Sequence, residues 1–152
     1  MQAIRLVAPN AVHMSGYVEA CREFAAAGRV NDGNAYNYDA NWQARLLRKL
    51  KRDHLGLNYA PAIVPQSSFW LVKGNTYLGT GNIRHWLAPH LLLYGGHIVY
   101  STRPAWRGQG LGTFLLGLLL PQATALNMPP ALIICDHATP APCKTMGKKD
   151  WP

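Results

Sequence analysis

"RPAWRGQGLGTFLLGLLL", residues 103–120, sets Gly108, Gly110 and Gly112 within five positions and then turns almost wholly apolar. The stretch before it, "GGHIVYSTRP" (95–104), reads as a strand ended by Pro104. The order is therefore strand, short loop, helix, with the helix beginning near Gly110. At a helix start the first N–H groups have no internal partner, and the helix dipole is positive there. Three positions without side chains would let an anion come down onto those N–H groups. Arg107 adds a planar cation suited to phosphate oxygens. The same glycines also suit a tight strand-to-helix turn with close packing. The P-loop pattern is absent, and so is a dinucleotide fingerprint with its downstream acid.

Towards the N-terminus, "AIRLVAP" (3–9) reads as a short strand ended by Pro9. "SGYVEACREFAAAG" (15–28) reads as a helix that Ser15 caps and Gly28 stops. "ANWQARLLRKLKRDHLG" (40–56) reads as a second helix. Trp42, Leu46, Leu47, Leu50 and Leu55 form its inner side, and Gly56 is the stop. "SSFWLVKGNTYLGTGNIRHWL" (67–87) reads as two strands joined at Gly74–Asn75. The glycine helix runs to about Leu126, and "ALIICD" (131–136) closes the series as an apolar strand. The order β-α-α-β-β-β-α-β predicts an α/β fold of the α+β kind, with a mixed sheet, in one domain over 1–152.

Length and composition agree with that. The chain has 152 residues, 49% hydrophobic and 14% charged, enough to bury a core without metal or disulfides. No apolar run reaches the ~20 residues of a membrane helix. The N-terminus lacks the basic-then-apolar pattern of a signal peptide. Cys21, Cys135 and Cys143 cannot all pair and lack zinc-site spacing, so no metal is expected. These features predict a soluble, cytoplasmic protein. Fifteen Lys+Arg against seven Asp+Glu give a formal charge of +8, which attracts anions. The densest cationic cluster, "RLLRKLKRD" (45–53), has helical spacing and reads as a solvated face before it reads as a nucleic-acid patch.

"RGQGLG" (107–112) resembles the R/Q-x-x-G-x-G/A signature of the GNAT superfamily of acetyl-CoA-dependent N-acyltransferases. The strand leading in with "YSTRP", the apolar helix leading out and the strand "ALIICD" resemble the family's setting for it. The resemblance covers residues 60–146 well and the first 60 by element order. It implies a central mixed sheet, two N-terminal helices and a pyrophosphate-binding helix, without the family's last strands. It implies acetyl-CoA as donor and a primary amine, small molecule or peptide, as acceptor. The backbone N–H groups of Gly108, Gln109, Gly110, Leu111, Gly112 and Thr113 would hold the CoA pyrophosphate, with Arg107 as clamp. Tyr100, Ser101, Thr102 and Arg103 would align the pantetheine arm, and a backbone N–H there would polarise the thioester carbonyl.

The acceptor amine must lose a proton to attack. Many GNAT enzymes use a glutamate for this, but no carboxylate lies between Asp53 and Asp136. His85 and His97 are the candidates on the central strands, since a histidine suits a general base near neutral pH. Either also serves as an ordinary half-buried strand residue. His97 is preferred, because it lies four residues before Ser101 on the strand that should face the thioester. The tyrosine that many members use to protonate the leaving thiolate is missing from "HATPAPCKTMGK" (137–148). Thr139 and Pro142 stand where relatives often carry Asn and Ser, and Cys143 is the remaining proton source there. In "NDGNAYNYDANW" (31–42), Asp32, Tyr36 and Tyr38, beside Asp39 and Trp42, suit a cationic amine, and equally suit a turn and a helix cap.

"ALIICD" would be left as an apolar edge strand, which predicts a homodimer that covers it. Two other functions compete. One is a catalytically weak or inactive CoA-binding protein, favoured by the missing carboxylate and tyrosine. The other is a basic nucleic-acid-binding module, for which helix-turn-helix and aromatic strand signatures are lacking.

Overall fold

The computed structural model describes residues 2–28, 40–57, 63–93, 95–127 and 131–133. Four strands, β1 (Ile4–Val7), β2 (Gln66–Lys73), β3 (Thr76–Arg84) and β4 (Ile98–Thr102), form one sheet in the order β1-β2-β3-β4. All three pairings are antiparallel. α1 (Met14–Ala26) and α2 (Trp42–Leu55) follow β1; α3 (Pro89–Leu93) precedes β4, and α4 (Leu111–Ala125) follows it. The α+β expectation holds. Of the segment 131–136, only 131–133 are described and they carry no strand, so the sheet's expected mixed pairing lies outside the described residues.

Strand alternation sends apolar side chains to both faces, and each face has its own helical layer. Trp70, Val72 and Tyr77 meet Met14, Tyr17 and Ala20 of α1 and Trp42 and Leu46 of α2. Tyr17 stacks on Trp70 with centroids 5.0 Å apart, which fixes α1 against β2. On the other face Leu71, Leu78, Ile83 and Ile98 meet Leu115, Leu116 and Leu119 of α4. α4 buries Leu111, Leu115, Leu116, Leu119 and Ala123 against the sheet and leaves Phe114 exposed on its outer side.

Gly81 sets how closely α4 approaches. A Cβ there would clash with Cδ1 of Leu119, a residue with no exposed surface. Gly81→Ala should therefore lower the denaturant midpoint by the equivalent of about 1–3 kcal/mol, the usual range for overpacking. An unchanged midpoint would show that Leu119 has room to move.

Several local expectations need correction. The first helix is not capped by Ser15. Asn10 caps a 3-10 turn, Ala11–His13, that runs directly into α1, and its Oδ1 accepts from His13 N–H at 3.2 Å. Ser15 lies inside α1. Leu55 is not on the inner side of α2; it is 55% exposed, and His54 of the same turn reaches Ser67 on β2 instead. Gly56 does end α2 in the left-handed region. The hairpin turns at Gly74–Asn75 as expected, but β3 stops at Arg84. Pro89, well placed in a helix's first turn, begins α3 in a stretch to which the sequence reading assigns no element.

Candidate functional site

β4, the glycine loop and the start of α4 make one continuous surface. β4 gives way to a 3-10 turn, Pro104–Trp106, and then to Arg107–Gly110, all four of which are exposed. Gly108 and Gly110 have φ of +77° and +76°, a region that side chains strain to enter. A Cβ at either would meet nothing within 4 Å, so both open onto free space. Gly110 is the N-cap of α4 and has no side chain to cap the helix. The N–H groups at the start of α4 are thus presented to whatever occupies that space. Gly112 is different: a Cβ there would make ordinary contact with the Tyr100 ring at 3.6 Å.

The register shows which β4 peptides are available. Arg103 N–H donates to Leu78 O, and Arg84 N–H to His97 O, each at 2.8 Å. In an antiparallel pair, hydrogen-bonded residues alternate. With Thr102 opposite Gly79 and Tyr100 opposite Gly81, Ser101 and Arg103 turn their peptides to β3. Tyr100 and Thr102 turn theirs to the outer edge, where no described residue forms a strand beside them. Of the four residues expected to align a ligand arm, two therefore offer backbone groups. Ser101 contributes otherwise: its Oγ is buried and has no hydrogen-bond partner among the described residues. An orphan hydroxyl beside an open strand edge fits a polar ligand atom.

The Arg103 side chain is turned away from this edge. It is bound to Glu19 and Glu23 of α1, at 2.9 and 2.7 Å. Those bonds hold the Glu23 carboxyl below the ordinary glutamate range, and Arg103 is raised by the same pairing. A depressed carboxyl stabilises the fold above its unfolded pKa of about 4.3, and that contribution is lost as pH falls through the lowered value. The clasp is fully formed at neutral pH. Arg107 stays exposed, with its guanidinium 5.4 Å above the Phe24 ring.

The two candidate histidines differ in what their rings do. Leu132 N–H donates to His97 Nδ1 at 2.9 Å, and His97 N–H donates to Leu132 O at 2.7 Å. The basic lone pair at Nδ1 is thereby committed, and the neutral ring carries its proton at Nε2. His97 holds the 131–133 segment beside the foot of β4. His85 Nε2 lies 2.8 Å from Ser67 Oγ, and His54 Nδ1 lies 2.7 Å from the same oxygen. Ser67 is fully buried, while His54 is exposed and His85 half-buried. His85 Nδ1 has no hydrogen bond among the described residues. Burial, and then the charge of His54, push His85 below the usual histidine value; burial and Arg84 do the same for His97. The His54–Ser67–His85 chain was not legible in the sequence, because α2, β2 and β3 bring its members together from 13 and 18 positions apart.

Asp32, Tyr36, Tyr38 and Asp39 lie outside the described residues, as do Cys135, Thr139, Pro142 and Cys143 and most of the proposed dimer edge. The cations of "RLLRKLKRD" are exposed along α2, with Leu46 beneath them, which is the solvated-face arrangement. Among the described residues no group of His, Cys, Asp and Glu is placed to hold a metal ion, and no helix is long and apolar enough to cross a membrane.

No protein-family model matches the chain, and no curated protein sequence does. A solved structure does match. It is a predicted acetyltransferase with acetyl-CoA from Clostridium acetobutylicum, superimposing with a TM-score of 0.53 at 18% identity. The match covers 99% of this chain and 91% of that one. The chain shares the fold of that acetyltransferase. At that identity the likeness carries the architecture alone.

Proposed function

We propose that residues 1–152 form one N-acetyltransferase domain that moves an acetyl group from acetyl-CoA to a primary amine by direct attack. The observation that carries this is the run from the outward peptides of Tyr100 and Thr102 to the open, uncapped helix start at Gly108–Gly110. An extended polar arm ending in a pyrophosphate matches both parts at once. The orphan Ser101 Oγ adds a donor at the edge. The acetyl-CoA held by the solved acetyltransferase of this fold supports the same choice of donor.

Bound acetyl-CoA supplies an activated acetyl thioester. Arg107 and the N–H groups of residues 108–113 hold the anionic end. The amine nitrogen bonds to the carbonyl carbon, the outward N–H of Tyr100 or Thr102 donates to the carbonyl oxygen as negative charge develops there, and the C–S bond then breaks to release the CoA thiolate, which takes a proton from water. His85 is the stronger of the two candidates for removing the amine proton, because its Nδ1 is uncommitted while that of His97 is not. Taking a proton at Nδ1, His85 releases the one at Nε2 to Ser67 Oγ. Ser67 passes its own to His54 Nδ1, and the exposed His54 returns one to water. The charge so leaves a half-buried ring for a solvated one.

Free thiol release from acetyl-CoA, followed over a panel of primary amines, tests the activity. Amine-dependent release with a matching acetylated product is expected. Tight acetyl-CoA binding with no release on any amine would favour a second reading, a CoA-binding protein without turnover. The absence of any carboxylate from 54 to 135 is the observation on that side.

A further inference from the structure

α1 reaches across to the segment that joins β4 to the glycine loop. Glu23 Oε1 accepts from Arg103 Nε at 2.8 Å and lies 2.7 Å from Nη2. Its Oε2 accepts from Ala105 N–H at 3.1 Å, inside the 3-10 turn. One carboxylate thus fixes the end of β4 and the turn that follows it. Phe24, next along α1, underlies Arg107. Glu19 adds a single bond to Arg103 from a more exposed position.

We infer that Glu23 is a positioning residue for the glycine loop, presetting its backbone to receive an anionic donor. The inference deepens the function proposed above and rests on it. Glycines lose more freedom on ordering than other residues, and Gly108 and Gly110 stand only a few residues past Ala105. Fixing that lead reduces what a ligand must order when it binds. Charge alone makes the opposite prediction. Glu19 and Glu23 place two negative groups near a site for a pyrophosphate, offset by Arg103 and Arg107. If the field dominated, removing the Glu23 charge would tighten CoA binding. If positioning dominates, removal weakens it.

The test compares wild type, Glu23→Ala, Glu23→Gln and Glu19→Gln. Amide exchange is measured over residues 105–110 in the unliganded protein, CoA affinity by titration, and steady-state rates with acetyl-CoA. Faster loop exchange in Glu23→Ala is expected, with about a tenfold rise in CoA Kd, equivalent to about 1.4 kcal/mol. KM for acetyl-CoA should rise in parallel while kcat stays within about twofold. Glu23→Gln, which keeps one acceptor, should fall between, and Glu19→Gln should bind CoA as wild type or slightly tighter. A Glu23→Ala protein that exchanges normally, or binds CoA as well as or better than wild type, overturns the inference. If the alanine variant does not fold, the glutamine variant decides with the same signs. If wild type itself fails to bind CoA, the donor assignment falls. Loop exchange then still reports whether Glu23 holds the loop, so the two failures are told apart.

Discussion

Gly110→Asp should abolish CoA binding, with a loss of at least about a hundredfold, and leave the fold in place. A Cβ at this position meets nothing within 4 Å, and Asp is among the residues that tolerate a left-handed backbone. The strain should therefore amount to only about 1 kcal/mol. The carboxylate would stand at the head of α4, where the N–H groups and the helix dipole favour an anion. It would occupy the space that the pyrophosphate needs and repel it as well. Gly110→Asn separates the two effects, since it has the same shape and no charge. It should bind more weakly than wild type and clearly better than the aspartate variant. A titration of CoA into each, with thermal melting as the folding control, checks this. An aspartate variant that melts normally and binds CoA normally would remove the loop from the donor site.

His85→Ala should lower kcat/KM by about 10²–10⁴, the usual contribution of a positioned general base, and remove the acid limb of the rate profile. His85 is depressed, first by burial and then by His54. Its neutral, proton-accepting form therefore persists below pH 6.5, the ordinary histidine value. In the wild type kcat/KM should stay flat from pH 7 down past that value and fall only at more acid pH. His54→Ala relieves the charge repulsion, so it should move the limb up towards the ordinary value. His97→Ala should act mainly on structure. It frees Leu132, and its effect should show as faster exchange at 131–133 with the acid limb retained. Rates followed from pH 5 to 8 for the three variants check these signs. An intact acid limb in His85→Ala would exclude it as the base.

Much of the architecture was legible because its signals are local. The two-residue turn at Gly74–Asn75, the left-handed Gly56 and the glycine head of α4 each announce themselves within a few residues. α3 is not legible because its five residues are too few to show a helical period, and Pro89 is the one local mark of a helix start. The Asn10 cap is not legible in the sequence because the 3-10 turn between Asn10 and α1 has no strong pattern of its own. At the site, the glycines and Arg107 stood out by spacing. The role of Glu23 did not, since its partners are 80 and 82 positions away and depend on α1 crossing β4's end. The difference between His85 and His97 is one of hydrogen-bond geometry. Both are simply strand-end histidines until Ser67 and Leu132 are brought beside them.

In the proposed function the β4 edge and the glycine loop together hold a CoA thioester donor. Thermal melting of the wild-type protein with acetyl-CoA, CoA or ATP tests it most directly, because no acceptor is needed. Ligand at a hundred times its Kd stabilises a folded protein by about 2.7 kcal/mol, enough to move a melting midpoint by several degrees. Such a shift is expected with both CoA species, and a smaller one with ATP, which offers phosphates to the loop but no arm to the strand edge. No shift with either CoA species, or a larger one with ATP, would contradict it.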